Sequence, residues 1–208
     1  MMKGLFSRHT RIVGAVVSCL GIAVLSGAPA RAALISTDAC DHSALTEPFA
    51  PWQDTSLYKL VPGGSFEGGA SGWTLSGGAR IVAGSEPYGA TGSVGTSSMD
   101  LPAGASVQSP FTCVDAAYPT FRFFGRNNGL LSTVLVSVVY KLPLLGQVGV
   151  PVGVFALGGT WQPSLPMLTA SAVTGLLSGG TTNVALRFTA LTGNSQIDDV
   201  FVDPRMSR

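Results

Sequence analysis

The sequence predicts an all-β domain, a sandwich of two antiparallel sheets. Three observations carry that expectation. Runs of β-branched and aromatic residues recur at roughly the 8-to-12-residue spacing of sandwich strands. Glycine, 27 of 208 residues, punctuates those runs together with proline. The 3.6-residue rhythm of Ala, Leu, Glu, Lys and Arg that long helices need is almost absent, and only 11% of residues are charged. An α/β fold would need crossover helices, and none is legible.

Residues 1–32 have the pattern of a secretory signal. Lys3, Arg8 and Arg11 form a basic start, Ile12 to Leu25 an apolar stretch, and Ala30-Arg31-Ala32 a small-residue cleavage site. The apolar stretch is shorter than the ~18 residues of a membrane span. Val16-Val17-Ser18-Cys19 loosely matches a lipoprotein box, but apolar sequence continues past Cys19. We expect cleavage after Ala32, a secreted protein, and no membrane span in the mature chain. Loss of Lys3, Arg8, Arg11 and Arg31 leaves eight basic residues against eleven acidic ones, a net charge near −3. That balance gives no footprint for nucleic acid and no polybasic patch for anionic lipid.

Cys40 and Cys113 then remain, an even pair in an exported chain, which reads as a disulfide. No Cys-x-x-Cys spacing suggests a metal or redox site. A loop of 73 positions closed this way is worth ~4 kcal/mol in the chain-entropy account. The bridge would pin an N-terminal arm, residues 33–57, that otherwise reads as loop. Residues 58–204 form the sandwich domain.

The expected strands follow in order: Tyr58–Val61, Trp73–Ser76, Ala79–Ala83, Ser97–Leu101, Val107–Val114, Pro119–Arg126, Ser132–Leu142, Gln147–Leu157, Asn183–Leu191 and Gln196–Val202. Asn127-Asn128-Gly129 is a turn signal, since Asn and Gly tolerate positive φ. Leu165–Leu177 reads as a buried strand followed by a helical turn over Thr174–Leu177. Alternation sorts the faces. Phe121 and Phe123 share one side of their strand, and Thr120, Arg122, Phe124 and Arg126 the other. Val134, Val136, Val138 and Tyr140 oppose Ser137 and Lys141; Val184, Leu186 and Phe188 oppose Arg187 and Thr189. If these strands share a sheet, Arg122, Arg126, Ser137, Lys141, Arg187 and Thr189 make one polar face. Arg122 and Arg187 could there grip a sugar or anion through planar donors. A plain solvated face is the ordinary alternative.

Two motifs bracket the domain: Gly63-Gly64-Ser65-Phe66-Glu67-Gly68-Gly69-Ala70-Ser71-Gly72-Trp73 and Ser195-Gln196-Ile197-Asp198-Asp199-Val200-Phe201-Val202-Asp203. Together they resemble the jelly-roll β-sandwiches of the carbohydrate-binding-module and galactose-binding-like group, as found in small exported bacterial proteins. Such domains often open on a Phe-Glu strand, a glycine-rich link and a Gly-Trp pair, and close on Asp-Asp-Val. The resemblance implies a jelly roll with a structural calcium held by Glu67 and by Asp198 or Asp199. Calcium wants six to eight hard oxygens, which carboxylates and glycine-turn carbonyls supply. Adjacent Asp198 and Asp199 point to opposite faces of a regular strand. The alternative is that Glu67 and one Asp accept backbone N–H bonds. An Asp just before the Phe, frequent in the group, is missing here.

The resemblance also implies glycan or cell-envelope binding, for which flat rings are the usual tools. Tyr88, in the Gly84–Gly92 loop, and Trp161, after Gly158-Gly159-Thr160, are the expected ligand contacts, because loops carry binding. Trp73 starts an apolar strand and is expected in the core. An enzyme is not expected. His42 is the one histidine beyond residue 32, adjacent Asp41, His42 and Ser43 cannot form a relay, and no nucleophile elbow, zinc helix or phosphate loop occurs. The expected function is therefore non-catalytic binding, with a structural or protein-interaction module as the alternative.

Overall fold

The computed structural model describes residues 43–115, 120–129, 131–142, 144–169 and 181–204. The chain divides into Met1–Ile35 and Ser36–Arg208, and every described residue lies in the second unit. The expected signal segment, Cys40 and the Thr174–Leu177 turn lie outside the described residues.

Among the described residues there is no α-helix, one short 3-10 turn at Ala50–Trp52, and a series of strands. These are β1 (Lys59–Leu60), β2 (Thr74–Ser76), β3 (Arg80–Ala83), β4 (Ser97–Leu101), β5 (Ser106–Gln108), β6 (Thr112–Asp115) and β7 (Thr120–Asn127). They continue with β8 (Ser132–Leu142), β9 (Gly146–Leu157), β10 (Gln162–Pro163), β11 (Met167–Leu168), β12 (Thr181–Thr192) and β13 (Ser195–Asp203). The first sheet runs β10-β7-β13-β4-β3, with β1 on β13 and β11 on β7; the second runs β2-β5-β12-β8-β9, with β6 on β12. Every pairing is antiparallel.

Most expected strands stand within two residues of their places. The run Val107–Val114 does not. It splits into β5 and β6 at Pro110, which has no N–H to give a ladder. Ser109 bridges the gap: its N–H donates to the Leu186 carbonyl and its Oγ accepts the Leu186 N–H, at 2.9 Å each. The Asn127 turn forms as expected, with Asn127 Oδ1 accepting the Gly129 N–H at 2.6 Å.

The alternation reads through directly into packing. Val134, Val136, Val138, Tyr140, Val184, Leu186 and Phe188 of the second sheet meet Met99, Leu101, Phe121, Phe123 and Ile197 of the first, all buried. Burial of each such side chain stabilises the fold by about 1.5–3 kcal/mol. Trp73 joins this core, as expected.

Two expectations are corrected. The polar face does not exist as one surface, because β7 belongs to the first sheet while β8 and β12 belong to the second. The chain crosses the sandwich between β6 and β7 and again between β7 and β8, so Arg122 and Arg187 stand on different sheets. Nor is the outer face of β7 solvated. The arm lies on it and builds a second buried cluster of Phe49, Tyr58, Phe124, Trp161 and Phe201. Thr46 and Tyr58 exchange backbone hydrogen bonds at 2.8 Å. The Phe49 ring stacks on Phe124, centroids 5.3 Å apart, and meets Tyr58 and Phe201 edge-on at 5.0 and 5.6 Å. The arm therefore has its own apolar anchor, whatever bridge it carries. Cys113 is disulfide-bonded; its expected partner Cys40 is not among the described residues, and that pairing stays a proposal.

Candidate functional site

The two end motifs meet. The Val61 N–H donates to the Val200 carbonyl at 2.9 Å, and the Val200 N–H to the Gly64 carbonyl at 3.1 Å. A Cβ on Gly64 would sit 2.8 Å from the Val200 oxygen, so only glycine permits this approach. Phe66 adopts φ 58°, unusual for a bulky residue, and drops into the core against Trp73, centroids 4.9 Å apart. Glu67 then turns outward. Its carboxylate accepts the Thr96 and Ser97 N–H groups at 2.7 and 2.8 Å and the Thr96 hydroxyl at 2.7 Å. The Thr96 hydroxyl and these N–H donors hold it below the usual glutamate range. Glu67 thus takes the backbone-acceptor role that the sequence left open.

Behind this junction lie three buried carboxylates, Glu86, Asp198 and Asp199. The expectation that Asp198 and Asp199 face opposite ways fails. The β13–β7 register slips between Asp198 and Phe201, and Asp199 takes φ 44°. That bulge re-aims a side chain and brings both carboxylates toward Glu86. Asp198 accepts from Ser85 Oγ at 2.6 Å and from the Glu86 and Asp199 N–H groups at 3.0 and 2.8 Å. Burial outweighs those donors and lifts it to about 6. Burial, then the charges of Asp198 and Glu86, push Asp199 up to about 8. Among the described residues none of these carboxylates has a cationic partner. As placed, no three Asp, Glu, His or Cys side chains among the described residues are arranged to hold a metal ion.

The cluster shapes the loop that carries Tyr88. The two Glu86 oxygens accept the Tyr88 and Ala90 N–H groups at 2.5 and 2.8 Å. The Tyr88 hydroxyl donates to the Trp161 carbonyl at 2.8 Å, and its ring meets Trp52 edge-on, centroids 4.9 Å apart. Tyr88 stays 50% exposed. Between this loop and the arm opens a groove of about 460 Å³ whose lining includes Pro48, Pro51, Trp52, Leu60, Tyr88 and Phe201. Trp52 also lines a second hollow of about 440 Å³, with Gln53, Asp54, Thr55, Ser56, Thr120 and Arg122.

Of the expected contacts, Tyr88, Trp161 and Arg122 gather on this outer face of the first sheet. Only Tyr88 presents its ring to solvent. Trp161 is 7% exposed, with the Arg126 guanidinium 4.9 Å from its ring centre. Arg122 is 4% exposed; it lies 4.2 Å over Phe49 and pairs with Asp54 at 2.7 Å. Its Nε donates to the Ser164 carbonyl at 2.8 Å. Arg187 is on the second sheet, where Nε and a terminal nitrogen share Gln108 Oε1 at 3.1 and 2.7 Å. Trp52 and Glu47 were missed. The signal was the aromatic and proline content of Glu47-Pro48-Phe49-Ala50-Pro51-Trp52, high for a segment read as plain loop.

No family model matches the chain, and no curated protein sequence matches it. Solved structures resemble it in fold. One is an N-terminal CBM22-1–GH10 portion of the Clostridium thermocellum endo-1,4-beta-D-xylanase 10B complexed with xylohexaose, at 21% identity and a TM-score of 0.49. The likeness covers 66% of this chain and 27% of that one. A CBM22 tandem domain from Paenibacillus barcinonensis is 12% identical with a TM-score of 0.47, over 66% of this chain and 42% of that one. The module TmCBM61, in complex with beta-1,4-galactotriose, is 14% identical with a TM-score of 0.43, over 69% and 96%. The chain thus spans less than half the length of the first two. Carbohydrate-binding modules are thus among the solved structures to which the sandwich is similar.

Proposed function

We propose that this is an exported, non-catalytic glycan-binding module whose ligand lies across Trp52 and Tyr88. The observation that carries the reading is the solvent-open groove between the arm and the Tyr88 loop, floored by Phe201 and flanked by both rings. A ring with an apolar face and a polar edge suits a sugar, which has both. Loop and arm are fixed beneath by the Glu86 bonds and the Phe49 cluster, so little ordering cost falls on binding. On a glycan array, the protein is expected to show saturable binding to one glycan class. Trp52→Ala should weaken it at least about tenfold, as loss of a central aromatic anchor does. Undiminished binding by that variant would move the site elsewhere, and a blank array would sink the reading.

A protein-interaction role is the second reading. It is favoured by β9, a twelve-residue strand that stands last in its sheet among the described residues, with exposed Val154. Arg187, half-buried on the second sheet, is the cation to replace in testing that reading, since Arg122 is buried under the arm.

Calcium is our proposal for the acidic junction. Its support is the set of hard carboxylate oxygens on Glu86, Asp198 and Asp199, buried without a cation among the described residues. Glu67, committed to Thr96 and Ser97, stands at the edge of that set. An ion would need Asp199 and Glu86 to leave their mutual hydrogen bond. Metal analysis after dialysis should find about one calcium per chain, and chelator should lower the melting temperature. Neither calcium nor a shift on chelation would end the proposal.

A further inference from the structure

Resting on the glycan-binding reading, we infer that the groove beside Trp52 selects a neutral acetamido sugar over a fully hydroxylated or anionic one. The argument is the chemistry of the lining. Among the described residues that line it, Glu47 is the one charged side chain, exposed and able only to accept. No Lys or Arg faces it there, so a uronate or phosphate would meet repulsion without compensation. The Tyr88 hydroxyl is already spent on the Trp161 carbonyl. Thr91 Oγ1 turns back to the Ser93 carbonyl at 3.4 Å. Beyond these the lining has one further polar side chain, the exposed Thr46, and is otherwise apolar, chiefly Pro48, Pro51, Leu60, Ala90 and Phe201 with the two rings.

A sugar that buries several hydroxyls there would find only Thr46 and Glu47 to pair them and leave the rest unpaired, which costs more than the bonds it could form. An acetamido group suits the same wall. Its N–H is a donor for the Glu47 carboxylate, and its methyl is an apolar load for the Trp52 and Tyr88 rings. The neighbouring hollow is different. It offers Gln53, Asp54, Thr55, Ser56 and Thr120, side chains that can serve hydroxyls. Trp52 is common to both linings. The ligand is accordingly a chain of at least two units, with the acetamido substituent on the Glu47 side.

Calorimetric titration of the purified protein decides this. The probes are a β-1,4-linked N-acetylglucosamine tetramer, cellotetraose, tetragalacturonate, and a glycan strand alternating N-acetylglucosamine with N-acetylmuramic acid. The acetamido tetramer is expected to bind about tenfold or more tightly than cellotetraose, with tetragalacturonate weakest, as buried unpaired hydroxyls and an unmatched charge require. Muramic acid carries a lactyl carboxylate, so the alternating strand is expected to bind more weakly than the neutral acetamido tetramer; equal or tighter binding of that strand would overturn the preference for a neutral ligand and point to an envelope source. Glu47→Gln, at an exposed position that leaves folding intact, should weaken the acetamido tetramer several-fold while leaving cellotetraose unchanged. Trp52→Ala should remove both. Equal or tighter binding of cellotetraose or tetragalacturonate overturns the inference and leaves glycan binding standing. Failure of every glycan overturns the proposed function itself.

Discussion

Arg122→Ala is expected to destabilise the protein by about 3 kcal/mol, the cost of stripping one partner from a buried ion pair. Asp54 would keep its charge in a partly buried site, still accepting from Tyr58 Oη at 2.8 Å and the Ser56 N–H at 3.1 Å, but with no cation. Burial pushes the Asp54 carboxyl up, and the hydrogen bonds from Tyr58, Arg122 and Ser56 outweigh it to hold the group below the usual range. Without the guanidinium that balance shifts toward protonation. The Phe49 ring also loses the cation stacked over it, and the Ser164 carbonyl loses its donor. Since Asp54 and Phe49 belong to the arm and Tyr58 directly follows it, the damage concentrates there. Urea unfolding measures the loss, and limited proteolysis should cut first between residues 44 and 58. The double variant with Asp54→Ala should cost less than the sum of the two single changes, because the pair is coupled. A loss below about 1 kcal/mol, the range of a surface pair, would show that the arm does not depend on this contact.

With chelator present, the melting temperature is expected to fall as pH rises from about 5 to about 8.5. The sign follows from the buried carboxylates. Asp198 near 6 and Asp199 near 8 both lie above their ordinary value of 3.8. The folded state therefore holds protons that the unfolded chain releases across that range, and stability drops wherever the native state binds more protons. The contribution is fully present below about pH 4 and is lost as pH climbs through the folded values. Asp54 and Glu67, held low, act oppositely: their contribution is present at neutral pH and lost as pH falls through their folded values. The stability maximum should thus sit on the mildly acid side of neutrality. Asp199→Asn should flatten the alkaline limb, since an amide keeps a donor for Glu86 without a proton to lose. Calcium, if it takes the place of that proton, should raise the melting temperature more at pH 8 than at pH 5. A melting temperature that is level or rises between those pH values would refute the assignment.

Much of this molecule is set by local pattern. Alternation in Val134–Tyr140 and Val184–Phe188 placed each side chain on its face, because a strand's period of two needs no partner to be read. Pro110 alone forced the break between β5 and β6. The glycine-rich opening motif and the Asp-Asp-Val end were singled out by their resemblance to the jelly-roll group, and they do join, since at Gly64 only glycine admits the Val200 carbonyl so near. Tyr88 was legible as a loop aromatic.

What sequence could not decide is which strands share a sheet, what covers each face, and where a register slips. Arg122 and Arg187 have the same outward parity, yet one is roofed by the arm and the other stands on the opposite sheet. Parity says which way a side chain points; only the tertiary structure says what lies there. The arm carried no periodicity, so its packing through Phe49, Trp52 and Tyr58 had no local signal beyond aromatic content. Asp199 was read by a regular alternation that the bulge after Asp198 breaks, and a slip of register is a property of two strands together. The sequence by itself determined the sheets' inner faces and the glycine-bound junction. The groove at Trp52 was decided by tertiary contact alone, because its two walls come from segments about forty residues apart that meet only once the sandwich has closed.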